Sequence, residues 1–279
     1  MKRIAVAVDG SASAAAGLRW AGELAEATGA DIVAVSTIAH QTSETPSDNF
    51  DRLVAERERI MSEQWLPELG LDPETVSVAV TAGDPRQSLP AAAEAHGADL
   101  LVLGRSGAGG RPGFLHLGSV VEHIAHHLTI PLAVIPSGWL GATRRILVGV
   151  DGSDESAKAI SWVTDVGPAL GAMILAVQVE EPFLEWTPAD SPDNWRRDVE
   201  REIVERTADL AAAGVEVKAI AARDLQPADA LVGIASGRHV DLLVIGTRGV
   251  GGFAGLRVGG VAMKVLHRAG VPLVLVPAG

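Results

Sequence analysis

The sequence contains no cysteine, few aromatic residues and no cluster of basic residues. Aromatic side chains make up 4% of the 279 residues, and the formal net charge is −12 at pH 7. The lack of cysteine excludes disulfides and cysteine-ligated metal sites, and it fits a reducing compartment. The acidic charge, which no run of Lys or Arg offsets, repels a nucleic-acid backbone. We therefore expect no nucleic acid among the partners.

Long apolar runs are also missing. No stretch approaches the roughly 18 apolar residues of a membrane span, so we expect no membrane partner. The first residues have a basic start, but only five apolar residues follow before Asp9. This predicts a strand, because the apolar region of a signal peptide takes about 7–15 residues. We therefore expect a soluble, cytoplasmic protein.

What the sequence does contain is aliphatic. Hydrophobic residues make up 47% of the chain, mostly Ala, Val, Leu and Ile, with 31 glycines and 15 prolines. This composition is typical of a compact α/β protein. A chain of 279 residues exceeds the usual single-domain size of about 100–200 residues, whereas halves of roughly 140 fit within it.

The chain repeats itself over its whole length. The sequence DLLVLGRSG, residues 99–107, recurs as DLLVIGTRG, residues 241–249, and VDGS at Asp9 recurs at Asp151, both at a spacing of 142 residues (241 − 99). Solenoid units take about 20–50 residues, so each copy should be a whole domain. We predict domains at 1–138 and 143–279, joined by a linker that begins at Pro136.

Strand and helix patterns alternate in both copies. In the first copy we predict strands at Ile4–Val8, Asp31–Ile38, Val76–Val80, Leu100–Leu103 and Leu132–Ile135, and helices at Ala12–Thr28, Arg52–Leu66, Pro85–His96 and Ser119–His127. In the second copy we predict strands at Ile146–Val150, Met173–Val179, Val215–Ile220, Leu242–Ile245 and Leu273–Val276, and helices at Glu155–Leu170, Asn194–Ala213, Pro227–Ser236 and Gly260–Arg268. This alternation indicates two doubly wound, open parallel sheets of three-layer α/β/α type with right-handed crossovers.

A glycine motif follows the fourth strand of each copy. Gly104-x-x-Gly107 precedes Gly118 at the start of a helix, and Gly246-x-x-Gly249 precedes Gly259 in the same way. Ligands of open parallel sheets bind at the carboxyl ends of the strands. Glycine permits positive φ and close approach of the backbone, while N–H groups and a helix N-terminus favour anions. A phosphate group is the expected ligand, although the glycines alone are also compatible with simple tight turns.

The ordered set of motifs, found twice, resembles the universal stress protein family. The resemblance implies a Rossmann-like, adenine nucleotide alpha-hydrolase-like fold that binds ATP, alone or with Mg²⁺. The aspartates would lie near the base and ribose, Thr37 and Val179 would flank adenine, and the glycine loops would wrap the phosphates. The implied binding residues are Asp9, Gly10, Thr37, Leu103, Gly104, Gly107, Gly118, Ser119 and Val120 in the first copy, and Asp151, Gly152, Val179, Ile245, Gly246, Gly249, Gly259, Gly260 and Val261 in the second.

The two loops differ in length and in one hydroxyl group. The spacing between copies falls from 142 to 141 residues (259 − 118) after the loop, so the first loop carries one extra residue, near Arg111–Gly113. Ser119 of the first copy is replaced by Gly260 in the second. This replacement removes one hydrogen bond worth about 0.5–1.5 kcal/mol. We expect two unequal nucleotide sites.

Other polar and aromatic residues have competing interpretations. Asp9 and Asp151 would alternatively serve as Asx-turn or N-cap residues, a task shared with Ser11 and Ser153. Four arginines in or beside the loops would reach phosphates or remain solvated: Arg105, Arg111, Arg248 and Arg257. The histidines at 123, 126 and 127 lack a further ligand, so we predict no metal site. The repeated pair Trp20 and Trp162 predicts core packing.

No catalytic machinery is visible in the sequence. The chain has no P-loop, no complete dinucleotide-binding motif, and no nucleophile with a base at a telling spacing, so we assign no catalytic residue. The preferred hypothesis is an ATP-binding regulator in the response to stress or growth arrest, whose nucleotide-bound state is recognised by other proteins. We expect the chain to form a homo-oligomer, namely a dimer. The alternatives are a nucleotide-independent scaffold with degenerate loops and a slow ATP hydrolase or adenylyl transferase.

Overall fold

The chain folds into two compact units. The computed structural model describes residues 1–38, 47–107, 117–182, 192–250 and 258–277. Unit 1 comprises Met1–Leu140 and unit 2 comprises Gly141–Gly279. Each unit alternates strands with helices around a parallel sheet, which confirms the predicted fold class. None of the helices in these described ranges is long and apolar enough to cross a membrane.

The described residues of unit 1 form five parallel strands in the order β3-β2-β1-β4-β5. Its strands are β1 (Arg3–Ala7), β2 (Asp31–Ile38), β3 (Val76–Ala82), β4 (Leu100–Gly104) and β5 (Leu132–Ile135). Its helices are α1 (Ala12–Thr28), α2 (Ser47–Ile60), α3 (Leu66–Glu68), α4 (Pro85–Ala95) and α5 (Ser119–Ala125). The strand order reverses direction between β1 and β4, which is where an open α/β sheet binds ligands.

Unit 2 repeats this plan, with strand order β10-β9-β6-β7-β8. Its strands are β6 (Arg145–Gly149), β7 (Met173–Glu180), β8 (Val217–Arg223), β9 (Leu242–Gly246) and β10 (Leu273–Val276). Its helices are α6 (Asp154–Leu170), α7 (Pro192–Arg206), α8 (Ala208–Ala212), α9 (Pro227–Gly237) and α10 (Gly260–Arg268). The switch point of this sheet lies between β6 and β9.

The cores consist of aliphatic strands with helices on both faces. Ile4, Ala5 and Val6 of β1 are completely buried, as expected for a central parallel strand whose apolar run has no polar face. Trp20 and Trp162, on the first helix of each unit, have relative exposures of 1% and 8%. The prediction that these two indoles pack in the core is therefore confirmed.

The helix predicted at Arg52–Leu66 is not uniform. It begins earlier, at Ser47, and passes at Met61–Trp65 into a π-helical segment before α3. The Leu66 N–H donates to the carbonyl of Met61, five residues back. Pro67 has no N–H, so it cannot continue the regular ladder of bonds to residues four back, and the turn before it widens.

The long helix predicted at Asn194–Ala213 is divided into α7 and α8. Thr207 separates them with φ −107° and ψ 16°, outside the helical region. Its Oγ1 donates to the carbonyl oxygen of Ile203 at 2.7 Å. A threonine hydroxyl that bonds back to the preceding turn competes with the helix ladder, which favours a break at this residue.

Candidate functional site

An aspartate follows the first strand of each unit and shapes the turn into the first helix. Asp9 Oδ1 accepts from the Ser11 N–H at 2.9 Å, and Ser11 Oγ caps α1 by accepting from the Ala14 N–H at 3.1 Å. Asp151 Oδ1 accepts in the same way from the N–H of Ser153 at 3.0 Å. The Asx-turn and capping roles weighed as the alternative are therefore present in both units.

The second carboxylate oxygen of each aspartate faces the glycine loop. A Cβ added to Gly107 would lie 2.9 Å from Asp9 Oδ2, and one added to Gly249 would lie 2.4 Å from Asp151 Oδ2. Asp151 Oδ2 also accepts from the Val250 N–H at 3.3 Å. The Asp151 carboxylate thus joins the end of β6 to the loop after β9, and in both units only a residue without a side chain fits beside the carboxylate.

The glycine after each aspartate is required by the backbone and lies beside a side chain from another element. Gly10 and Gly152 have φ of +80° and +82°, a left-handed conformation that glycine adopts without strain. A Cβ on Gly10 would meet the Trp65 ring at 2.7 Å, and a Cβ on Gly152 would meet Arg206. Sequence reasoning missed these two neighbouring side chains, because neither belongs to a repeated motif.

The glycine that ends the fourth strand of each unit permits close packing. A Cβ on Gly104 would lie 2.5 Å from the carbonyl carbon of Ser13, and a Cβ on Gly246 would lie 2.6 Å from Cβ of Glu155. The first turns of α1 and α6 therefore rest directly on these strand ends. Both glycines have a packing role that stands apart from any ligand.

The helices after the loops begin at glycine caps. Gly118 and Gly259 have φ of −67° and −81°, so they are extended and do not use the positive φ that the motif was expected to exploit. Their N–H groups donate to the carbonyls of Arg105 and Thr247, which closes each loop. No side chain caps α5 or α10 among the described residues, so the first-turn N–H groups keep their capacity for an anion.

These elements enclose a cavity in each unit, at the carboxyl ends of the strands. The volumes are about 670 Å³ in unit 1 and 570 Å³ in unit 2, and we call them cavity 1 and cavity 2. Both fall within the range of about 300–1,000 Å³ that small-molecule sites occupy. The predicted residues that line cavity 1 are Asp9, Thr37, Leu103, Gly104, Gly107, Gly118, Ser119 and Val120. Those that line cavity 2 are Asp151, Val179, Ile245, Gly246, Gly249, Gly259, Gly260 and Val261.

The structure thus brings sixteen of the eighteen predicted positions to the two cavities. Gly10 and Gly152 are not among the described lining residues, and a Cβ on them would meet Trp65 and Arg206, respectively. At the second strand, Thr37 Oγ1 lies 3.3 Å from Ser88 Oγ at one wall of cavity 1. The two predicted sets are therefore spatial clusters as well as sequence motifs.

The two cavities differ in charge. Asp9 is the charged residue among the described lining of cavity 1. Cavity 2 is lined by Asp151, Glu181, Arg248 and Lys264. The Arg248 Nε donates to Glu155 Oε1 at 2.6 Å, and this carboxylate belongs to a largely buried residue, so much of the charge of Arg248 is already compensated.

The loop arginines have different positions. Arg105 is buried, with a relative exposure of 6%, and burial lowers the pKa of its guanidinium. It is absent from the described lining of cavity 1, so the hypothesis that it reaches a phosphate there is not supported by its position. Arg248 does line cavity 2. Arg111 and Arg257, and the extra residue predicted near Arg111–Gly113, lie outside the described residues.

The histidine cluster forms a pair at the end of α5. The rings of His123 and His127 stack with their centroids 4.5 Å apart, and His127 Nδ1 lies 2.8 Å from the carbonyl oxygen of His123. In the described ranges, no group of three or more His, Cys, Asp or Glu residues is arranged to hold a metal ion.

Beside cavity 1, an ion pair at the start of α4 sets the pKa of a capping carboxylate. The Arg86 guanidinium donates to Asp84, with Nε 2.9 Å from Oδ2, and holds the pKa of Asp84 at about 2. Because the pKa is lowered in the fold, the stabilisation is present above the ordinary carboxylate pKa and is lost as pH falls toward 2. Arg86→Gln should raise the pKa of Asp84 toward its ordinary value of about 3.9.

This shift can be measured by following the Asp84 carboxyl carbon by NMR as the pH is lowered. Arg59→Gln removes a similarly exposed arginine that pairs with Glu56 and Glu63, and it should leave Asp84 unchanged. An Asp84 titration that is identical in wild type and Arg86→Gln would refute the assignment of the shift to this pair.

The fold and the two cavities define a tandem α/β protein with a cavity at the switch point of each sheet. The chain belongs to the universal stress protein family, whose family model matches residues 1–136 and again residues 142–277. This confirms the resemblance drawn from the repeated motifs.

Similar proteins match the whole chain or half of it. The universal stress protein Rv2623 of Mycobacterium tuberculosis is 27% identical over 293 aligned residues, covering 98% of this chain and 95% of that protein. A solved universal stress protein from Archaeoglobus fulgidus covers 99% of this chain and 98% of its own, with 20% identity and a TM-score of 0.74, which shows the shared fold. A solved universal stress protein in complex with cAMP covers 50% of this chain and 100% of its own, with 26% identity and a TM-score of 0.39.

Proposed function

We propose that this universal stress protein binds ATP in both cavities and acts as a nucleotide-dependent regulator of the response to stress or growth arrest. The observation that carries the proposal is the same in each unit: an aspartate, a glycine loop and an uncapped helix start meet at one cavity. These groups come from three separate segments of the sequence. Their convergence at the switch point of the sheet is the arrangement that α/β proteins use for nucleotides.

The chemistry of the cavities fits the parts of an adenine nucleotide. Aliphatic residues such as Val35 and Leu89 in cavity 1, and Val177 and Leu231 in cavity 2, offer apolar walls to a base. The aspartate carboxylate is an acceptor for ribose hydroxyls. The first-turn N–H groups and the glycine loop favour phosphate. Mg²⁺, if it accompanies ATP, would be held mainly by the phosphates themselves.

Regulation would follow from differential binding. A nucleotide that binds one conformation better than another shifts the population toward it, and partner proteins would then read that state. We further propose that residues 1–138 and 143–279 are the two functional domains, that the chain forms a homodimer, and that it acts in the cytoplasm. Size measurement with and without ATP tests the dimer.

The nucleotide proposal is tested on the purified full-length protein. Denaturation should release an adenine nucleotide that chromatography and mass spectrometry identify, and titration of nucleotide-free protein with ATP in a calorimeter should show two sites per chain. If no nucleotide is released and ATP at millimolar concentration gives no heat, the chain is a nucleotide-independent scaffold. If ADP or AMP accumulates and Gly107→Glu abolishes it, the chain is a slow enzyme.

A further inference from the structure

The two cavities differ most at the helix that follows the glycine loop. In cavity 1 this helix starts with Ser119, whose hydroxyl is a neutral donor; in cavity 2 the equivalent residue is Gly260. A Cβ added to Gly260 would meet no heavy atom within 4 Å. Cavity 2 therefore has open space at the position where cavity 1 has a hydroxymethyl group.

A lysine lies one turn beyond this open space. Lys264 is four residues after Gly260, so the two lie on the same face of α10, and both line cavity 2. The equivalent residue in unit 1 is His123 (264 − 141), which is absent from the described lining of cavity 1. Cavity 2 is thus lined by a flexible ammonium group near the helix start, whereas Asp9 is the charged residue in the described lining of cavity 1.

The ammonium group of Lys264 is available to an anion. Its Nζ donates to the neutral Gln226 Oε1 at 3.0 Å, and no carboxylate pairs with it in the part of the chain that the structure describes. Arg248, the other cation of cavity 2, is already bonded to Glu155 at 2.6 Å. An anionic oxygen is a stronger acceptor for an ammonium than a neutral amide oxygen is, so a phosphate would displace Gln226.

We propose that Lys264 makes cavity 2 selective for nucleotides with a long, highly charged phosphate chain, that is, nucleoside triphosphates over monophosphates. Cavity 1 holds its nucleotide through neutral donors and discriminates less. The inference rests on the proposed nucleotide binding and assigns different preferences to the two sites. A cation one helical turn from the loop contacts the distal phosphates, which a monophosphate lacks, whereas the loop itself serves both ligands.

The test isolates cavity 2 in the full-length chain. Gly107→Glu blocks cavity 1, because its carboxylate would lie against Asp9 and the path of the phosphates. In the Gly107→Glu background, calorimetric titrations measure the affinities for ATP and for AMP of two chains, one that keeps Lys264 and one that carries Lys264→Gln. We expect Lys264→Gln to weaken the binding of ATP about tenfold and the binding of AMP less than about twofold. It should also reduce the salt dependence of ATP binding. Lys264→Arg, which keeps the charge, should retain most of the preference for ATP.

The matched control isolates cavity 1 with Gly249→Glu and adds His123→Gln at the helix position equivalent to Lys264. The ratio of the affinities for ATP and AMP should be the same with and without His123→Gln. If Lys264→Gln weakened the binding of ATP and AMP equally, or weakened neither, the inference would be overturned, whereas the proposed nucleotide binding would not. The inference would also be overturned if ATP bound to the Gly249→Glu variant, in which cavity 1 is intact, but not to the Gly107→Glu variant, in which cavity 2 is intact. Failure of every variant and the wild type to bind either nucleotide is the separate outcome that refutes the proposed function.

Discussion

Gly249→Glu is expected to abolish nucleotide binding in unit 2 and to leave unit 1 with its own site. The added Cβ would lie 2.4 Å from Asp151 Oδ2, so the loop must move away from the carboxylate that it contacts. The new carboxylate would also lie beside the phosphates of a bound nucleotide, and like charges about 4 Å apart repel by roughly 4 kcal/mol near a protein surface. This exceeds the roughly 2.7 kcal/mol that corresponds to a hundredfold loss of affinity. Calorimetry with ATP should show the number of sites per chain fall from two to one.

The control for this substitution carries the same charge at a position without steric conflict. A Cβ on Gly138 would meet no heavy atom within 4 Å, so Gly138→Glu adds one negative charge without displacing a loop. It should keep both sites. The reciprocal Gly107→Glu should remove the other site. Two intact sites in Gly249→Glu would mean that the loop of unit 2 does not contact the nucleotide.

Much of the fold and of the cavity lining was predictable because the motifs that define them occur twice in the sequence. A motif that appears once is compatible with a simple turn, whereas two copies at a constant spacing define a domain plan. The limits of α1, β2, β5 and α10 agree with the predictions because strong local signals end these elements. Gly29, for example, ends α1 in the left-handed conformation at φ 72°, the C-cap signal expected from the sequence.

The contacts that the sequence did not predict are made by side chains in segments that the two copies do not share. Trp65 and Arg206 lie beside Gly10 and Gly152, yet they belong to the regions of the two copies that share least sequence. Which side chain reaches across to another element depends on helix length and on breaks such as that at Thr207. A pattern of apolar spacing carries no information about such contacts.

The burial of Arg105 shows a second limit of sequence reasoning. An arginine beside a glycine loop suggests phosphate binding, but Arg105 follows the end of β4 and is buried away from the described lining of cavity 1, while Gly104 and Ser106 line it. In unit 2 the equivalent residue is Thr247, and both Thr247 and Arg248 line cavity 2. The position of one loop residue relative to the cavity thus differs between the two copies, and the shared sequence pattern did not predict this difference.

Gly104→Ala is expected to destabilise unit 1 by about 2–3 kcal/mol, the upper part of the range for overpacking a tight interior. The new Cβ would lie 2.5 Å from the carbonyl carbon of Ser13 and 2.7 Å from its oxygen. These are backbone atoms, so no change of rotamer relieves the contact, and the first turn of α1 must lift from the end of β4. Differential scanning calorimetry should show a transition lowered by roughly 5–10 °C.

The control is Gly260→Ala, since its Cβ would meet no heavy atom within 4 Å. An alanine in a compatible conformation restricts the unfolded chain, so this variant should be neutral or more stable by up to about 1 kcal/mol. Measurements without nucleotide separate packing from ligand binding. A loss of stability in nucleotide-free Gly104→Ala assigns the glycine to the contact between helix and sheet. An unchanged transition would instead mean that the first turn of α1 adjusts without loss of stability, which would contradict the packing role assigned to Gly104.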